Sequence, residues 1–204
     1  MSGDNDLRYI KVEEALRSAM LELLANKRLE DVTVSEICKL ARCSRNAFYG
    51  HYAGRDELCA AMIDDFATTL RAACTRENER LQAGGVGSFD FEHALISAFR
   101  EHEPLLRVLL LSDTGVFANT IRRTVYETFM GSFERLTGRP ADTSIRLAIA
   151  YSAGGAVAIT DRWFKEHQDQ EVPFDDFYTA FHDMLLPVND AVRQEVCPAA
   201  DDAQ

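Results

Sequence analysis

Thr33-Val34-Ser35-Glu36-Ile37-Cys38-Lys39-Leu40, then Ala41-Arg42-Cys43, then Ser44-Arg45-Asn46-Ala47-Phe48-Tyr49-Gly50-His51-Tyr52 is the stretch that decides the fold. Thr33 followed three residues later by Glu36 is a capping box, in which hydroxyl and carboxylate each satisfy a backbone donor that a helix start leaves unpaired. Val34, Ile37 and Leu40 recur at helical spacing and are expected to bury one face. After three turn residues, Ser44 is placed to cap a second short helix. Two helices joined so closely cross steeply, so one can enter a DNA major groove while the other braces it. On the second helix Arg45, Asn46 and Tyr49 point outward, whereas Phe48 and Tyr52 point inward. An ordinary helical hairpin with solvated polar residues would share the caps and the spacing, and the flanking sequence has to separate the two readings.

Upstream, Val12, Leu16, Ala19, Met20, Leu23 and Leu24 form an amphipathic helix that leads into Leu29-Glu30-Asp31-Val32-Thr33-Val34. Downstream, Phe48-Tyr49-Gly50-His51-Tyr52-Ala53-Gly54-Arg55-Asp56-Glu57-Leu58 closes the unit. Together these motifs, over about residues 8 to 60, resemble the tetracycline-repressor (TetR) family of bacterial transcription regulators. That family's reader carries a Thr-Val, a Ser-capped recognition helix, a Phe-Tyr-x-His-Phe/Tyr and a Lys/Arg-Asp/Glu-x-Leu. The resemblance implies that Ser44, Arg45, Asn46 and Ala47 lie at the DNA-facing start of the recognition helix, the last three at base edges. It also implies that Tyr49, His51 and Arg55 grip phosphates and that Thr33 and Ser35 approach the backbone. The chemistry agrees: Arg suits guanine, Asn suits adenine, a small apolar Ala suits a thymine methyl, and polar side chains hold phosphate without reading sequence. Two positions depart from the pattern. Arg42 replaces the glycine usual in the turn, and Asn46-Ala47 replace the common Gly-Thr. A left-handed backbone at Arg42 would cost about 1 kcal/mol, and its side chain could also reach a phosphate.

Charge narrows the reading. The chain of 204 residues carries 22 Lys+Arg against 33 Asp+Glu, a formal net charge of −11, which argues against indiscriminate nucleic-acid binding. Residues 1–58 hold nine basic and ten acidic side chains, so almost the whole excess falls beyond them. Within 33–55, Lys39, Arg42, Arg45 and Arg55 face Glu36 alone. A small basic patch on an acidic body suits binding to chosen DNA sites, with the steep salt dependence of phosphate contacts.

The rest of the chain predicts an all-α body. A long helix from about Asp56 to Arg80 carries Leu58, Met62, Phe66 and Leu70 on one stripe, and further helices are expected at about 90–102, 104–111, 115–137, 142–168 and 174–195. Turn signals separate them at 83–88, Pro104, 112–115, 137–140 and Pro173, and no segment alternates as a strand does. The expected organisation is about nine helices: a three-helix DNA-binding domain with its helix-turn-helix (1–55), a larger ligand-binding and dimerisation domain (56–197), and a disordered acidic tail (198–204).

Helix-turn-helix operators are read by dimers whose recognition helices enter grooves about 34 Å apart. The last two long helices are the expected homodimer surface, as the family resemblance also implies. Ser152, Gly154, Gly155 and Ala156 allow close helix approach, and Trp163, Phe177, Phe181, Met184 and Leu185 supply apolar area. Family members usually hold a small molecule among the middle helices. The candidates for a small apolar or amphipathic ligand are Phe66, Phe99, Phe117, Ile121, Val125, Phe129, Tyr126 and Tyr151, with His93, Asn119 and Arg122 as polar anchors, although such aromatic residues are as readily plain core.

No cofactor, metal site or membrane span is expected. The apolar runs are too short to span a bilayer, and the five cysteines are odd in number with no CxxC pair, which points to reduced thiols in a cytoplasmic protein. Cys43, beside the recognition helix, is conceivable as a redox switch. His182-Asp183 and Glu101-His102-Glu103 read as solvated helix surface, and no HExxH, P-loop or nucleophile elbow occurs, so no enzyme is expected. The functional expectation is a sequence-specific transcriptional repressor released by a ligand. Its alternatives are a partner-dependent activator of the same fold, and a small-molecule-binding module without DNA binding.

Overall fold

The computed structural model describes residues 3–82, 91–111, 116–167, 176, 177, 179 and 181. Among these the chain is all-helical: α1 (Gly3–Leu24), a single 3-10 turn (Leu29–Asp31), α2 (Val34–Leu40), α3 (Arg45–Tyr49), α4 (Arg55–Gln82), α5 (Phe91–Glu101), α6 (Glu103–Leu111), α7 (Val116–Thr137) and α8 (Thr143–Glu166). The described residues of the expected helix over 174–195, namely 176, 177, 179 and 181, are helical, and the remainder of that helix and the tail lie outside the described residues. No helix among the described residues is long and apolar enough to cross a membrane.

The chain divides into two compact units, with the division at 65/66, inside the unbroken helix α4. The first comprises Met1–Asp65 with Pro104–Thr114, and the second Phe66–Glu103 with Gly115–Gln204. The stretch expected to be the reader, 1–55, lies wholly within the first.

In the first unit α1 buries Leu16, Ala19, Met20 and Leu24 on one face, against Ile37 from α2, Phe48 from α3 and Leu58 from α4 as fellow core residues. Pro104 sits in the opening turn of α6, where its missing N–H costs nothing, and Leu105, Leu106, Leu109 and Leu110 of that helix are buried. Phe48 is wholly enclosed; truncating a phenylalanine so placed to alanine costs about 3–5 kcal/mol. One expectation is corrected. Leu40 is 38% exposed and Val34 only half-buried, and Cys38 joins Ile37 in the core instead. The helix ends one residue after Lys39, so the stripe turns toward the residue that its terminal turn folds inward.

That terminal turn has a definite construction. Cys43 N–H donates to the Cys38 carbonyl (3.0 Å) and Arg42 N–H to the Lys39 carbonyl (3.4 Å), with Arg42 left-handed at φ 53°. These are the two bonds of a Schellman closure, with Arg42 at the position that glycine usually fills. The closure reverses the chain quickly enough for Ser44 to begin α3 at once, its Oγ accepting from Ala47 N–H at 3.1 Å.

In the second unit α5 buries Ala94, Leu95, Ile96, Ala98 and Phe99, and α7 pairs with α8. Gly138, left-handed at φ 66°, ends α7 with its N–H on the Glu134 carbonyl. Asp142 starts α8 by accepting from Ile145 N–H at 2.9 Å. The inward face of α8 is Ile145, Ile149, Ser152, Ala153, Ala156, Val157, Thr160 and Phe164. An aromatic chain runs through this unit: Phe66 to Phe99 (5.6 Å between ring centroids), Phe99 to Phe181 (6.2 Å), Phe181 to Phe177 (5.4 Å), and Phe177 to Trp163 (5.4 Å).

The opening of α2 carries an acid sensitivity. Thr33 N–H donates to the Glu36 carboxylate (3.0 Å) and Thr33 Oγ1 accepts from Glu36 N–H (3.3 Å), while Lys27 bridges to the same carboxylate. The Lys27 hydrogen bond, then those from Thr33, hold the Glu36 carboxyl far below its ordinary 4.5, at about 2. Because the folded-state value is depressed, the stabilisation is complete above pH 4.5 and is lost as pH falls through about 2. A carboxyl-carbon NMR titration should therefore place Glu36 near 2, and Glu36→Gln should flatten the pH dependence of thermal unfolding between those two values.

Candidate nucleic-acid interface

The surface that could meet DNA is built by the two caps and one buried anchor. Ser44 starts α3, Phe48 fixes it from beneath, and the five-residue helix then offers Arg45, Asn46 and Tyr49 to solvent, Tyr49 at 57% exposure. Phe48 meets Tyr49 edge-on at 5.5 Å and Tyr52 at 6.2 Å, so the inward pair holds the outward one in place. Ala47 is half-buried beside them. Ser35 of α2 and Arg45 of α3 are brought together, the guanidinium donating to the Ser35 hydroxyl. Thr33 is exposed as a residue, but its hydroxyl is engaged in the α2 cap.

Two side chains that the resemblance places on phosphates are occupied by the protein itself. Arg55 donates through one nitrogen to the carbonyls of Glu30 (2.7 Å) and Val32 (2.6 Å), so it pins the 3-10 segment to the start of α4. The His51 ring is almost wholly covered, with 4% side-chain exposure. It stacks on Tyr9 at 3.8 Å, and its buried Nδ1 has no hydrogen-bond partner and lies 3.7 Å from the Glu13 carboxylate.

Glu13 is the residue that sequence reasoning missed. Its carboxylate accepts from the Tyr52 hydroxyl (3.1 Å) and from Arg17 (2.9 Å), and Arg17 in turn pairs with Asp65 on α4. Burial pushes the Glu13 carboxyl up, but the Tyr52 and Arg17 hydrogen bonds, with the Arg17 and His51 charges, outweigh it and leave it below its ordinary value. Burial pulls the Arg17 guanidinium down, and Asp65 and Glu13 reverse that. The local pattern shows only an i,i+4 pair with Arg17; Tyr52 and His51, 39 and 38 residues away, meet Glu13 only through the tertiary fold.

A second missed feature is a groove of about 340 Å³ on the same unit, lined by Leu7, Arg8, Lys11, Val12 and Ala15 of α1 and by Ala41, Arg42 and Cys43 of the turn. Arg8 and Lys11 are three residues apart on one helix face, which the sequence does show; that this face meets Arg42 it does not.

In the second unit the residues expected around one ligand separate into two groups. Phe66, Phe99, Ile121, Val125 and Phe129 are core, each at most 2% exposed. Asn119, Arg122 and Tyr126 line an open groove of about 560 Å³ between α7 and α8, with Thr120, Arg123, Ala150 and Ala153. Arg122 donates to Asn119 Oδ1 at 2.8 Å. Phe117 is half-buried. Tyr151 is 64% exposed and so points away from any interior pocket; it follows Ala150 on the outer side of α8. The side chain of His93 lies outside the described residues.

The expected dimer residues are likewise divided. Ser152, Ala156, Phe177 and Phe181 are buried within the single chain, so they present no surface to a second copy: the small residues of α8 serve packing against its own neighbours. Gly154 and Gly155 are half-exposed, and a Cβ at Gly154 would sit 3.9 Å from Arg122 Cδ. Trp163 is half-buried between His167 (4.2 Å) and Phe177. Met184 and Leu185 lie outside the described residues. The outer face of α8 instead exposes Leu147 (65%) and Tyr151 with Ala150 and Ala158.

No family model matches the chain. It is 39% identical over 59 residues, 28% of its length, to the uncharacterized HTH-type transcriptional regulator YxbF of Bacillus subtilis (strain 168), of which it covers 16%. It is 29% identical over 86 residues, 42% of its length, to an uncharacterized HTH-type transcriptional regulator of Haemophilus influenzae, of which it covers 42%. The chain thus spans less than half the length of these curated relatives. Among solved structures it is similar to the dihydroxyacetone kinase operon activator DhaS, at 15% identity and a TM-score of 0.58 over 86% of this chain and 94% of that one. It is also similar to a TetR transcriptional regulator from Streptococcus agalactiae 2603V, at 19% identity and a TM-score of 0.57 over 91% and 99%.

The geometry separates the structural from the presenting side chains. Arg55→Ala, which removes two hydrogen bonds from a cation to the Glu30 and Val32 carbonyls, should lower the unfolding free energy by about 2 kcal/mol, whereas Tyr49→Phe should stay within about 0.5 kcal/mol of the parent. Urea denaturation of both variants checks this, and equal stability of the two would remove the clamp role of Arg55.

Proposed function

The chain has the fold of the TetR family of transcriptional regulators, and from that premise we propose that it is a sequence-specific double-stranded-DNA-binding regulator acting as a homodimer. The carrying observation is the exposed trio Arg45, Asn46 and Tyr49 on a helix that Ser44 caps and Phe48 anchors. Arg45 and Asn46 read base edges, and Tyr49, Arg42 and the neighbouring cations hold phosphate. Thr33, Ser35, Ala47, His51 and Arg55 support this surface by shaping it. The reader comprises 1–55 and the helical body 56–197.

Dimerisation is assigned to the outer face of α8, where Leu147 and Tyr151 lie one helical turn apart with the small Ala158 beyond, because large apolar side chains left so exposed need a cover. Occupying an operator blocks whatever else would sit there, so repression is the default action. Release is assigned to a small amphipathic ligand bearing an acidic group, held in the α7–α8 groove by Arg122 and Arg123. Such a ligand acts only through its different affinity for the DNA-competent and DNA-incompetent conformers.

Selection of DNA fragments from a genomic library tests the reader directly. Arg45→Ala should cost about 1–3 kcal/mol on the selected fragment and relax preference at one base position; an unchanged selected motif would remove Arg45 from the base edge. For the assembly, Tyr151→Asp should convert a dimer into a monomer in sedimentation velocity without changing the far-ultraviolet circular dichroism. A parent protein that sediments as a monomer would end the homodimer reading.

A further inference from the structure

The closure that ends α2 brings two thiols together. In a Schellman motif the side chains two residues past the helix end and at its third-last position meet, and an apolar pair usually fills them. Here those positions are Cys43 and Cys38, whose backbones are joined by the 3.0 Å bond from Cys43 N–H to the Cys38 carbonyl. Neither thiol is in a disulfide. Cys38 is buried, 5% exposed, whereas Cys43 is half-exposed and opens into the α1–turn groove beside Arg8, Lys11 and Arg42. One thiol is therefore reachable from solvent, and the other lies buried behind it. Burial, then the adjacent Cys43, push the Cys38 thiol up, with Arg45 drawing it down.

We propose that Cys38 and Cys43 form a redox modification site within the reader, closing to an intramolecular disulfide on oxidation by hydrogen peroxide. The Cys43 thiolate attacks one peroxide oxygen, the O–O bond breaks, and the departing hydroxide takes up the proton that the thiol released, giving water and a Cys43 sulfenic acid. The Cys38 sulfur then attacks the sulfenic sulfur, the S–O bond breaks, and the leaving hydroxide takes the Cys38 proton as a second water. Two thiols are oxidised to one disulfide as the peroxide oxygens are reduced. Both sulfurs must then come within about 2.05 Å, which draws Cys43 toward α2. Ser44, the next residue, caps α3, so the recognition helix moves with it. The DNA consequence rests on the reader proposed above; formation of the disulfide does not.

The test treats the full chain with hydrogen peroxide and maps its peptides, with thermal unfolding and binding to the selected DNA fragment measured before and after. The expected result is a Cys38–Cys43 linked peptide, a shifted melting temperature, and a fall in DNA affinity of about tenfold, the loss of roughly one bidentate base contact. Dithiothreitol should restore all three, and Cys43→Ser, at the half-exposed position, should abolish them while folding normally. Oxidation of Cys59 or Cys74 without the linked peptide would overturn the site. A linked peptide with DNA affinity unchanged would overturn its role as a switch. If the reduced protein selects no DNA, the reader fails and the redox site stands or falls on the linked peptide and the melting shift.

Discussion

Glu13 holds the first unit together at a point where three segments would otherwise splay. One carboxylate on α1 receives the Tyr52 hydroxyl from beyond α3 and the Arg17 guanidinium from its own helix, and through Arg17 it reaches Asp65 on α4. The His51 ring lies against it, wedged under Tyr9. A carboxylate half-removed from water is stabilised only when its lone pairs are met by donors, and here each donor comes from a segment that the helix-turn-helix needs in a fixed place. The recognition helix has five residues and no prospect of standing alone, so its pose depends on this bracing more than on its own hydrogen bonds.

Much of the reader was legible in the sequence because its signals are local. The Thr33–Glu36 capping box and the Ser44 cap act across three residues, and the structure contains both. Phe48 and Tyr52 are inward as their spacing predicts. The positive φ at Arg42 follows from the length of the turn, since a three-residue reversal needs one left-handed residue whatever occupies it. Leu40 was misplaced for the same local reason: periodicity extrapolates a helix past the residue at which the closure bends it away. Arg55 and His51 show the limit on function. A motif records which residue types recur at a position, and an arginine bound to two carbonyls recurs as faithfully as one bound to phosphate.

The body was harder to read because its faces are set by distant partners. Small residues in the middle of α8 suggest close helix approach, and close approach there is: Ser152 and Ala156 are buried, and Ala153 packs toward α7. The partner is α7 of the same chain, however, and no local pattern distinguishes an internal neighbour from a second copy. The aromatic residues divide for a similar reason. Phe66, Phe99, Phe177 and Phe181, spread over more than a hundred positions, meet as one chain of rings, while Tyr126 and Tyr151 remain toward solvent.

The bond from Arg45 to Ser35 bears on how a base contact would be timed. A free arginine carries about 2 kcal/mol of rotamer entropy, much of which must be surrendered whenever it is fixed against a partner. With the guanidinium already held by a neutral hydroxyl, that ordering would be complete before any duplex arrived, and the base contact proposed for Arg45 would exchange one weak acceptor for a guanine edge. Each miss along a long polymer then costs little, since the side chain returns to the same rest position rather than to a broad distribution. Under the proposed base contact, an arginine stored in this way would favour rapid rejection of wrong sequences, a kinetic property carried by a serine that never needs to touch a base.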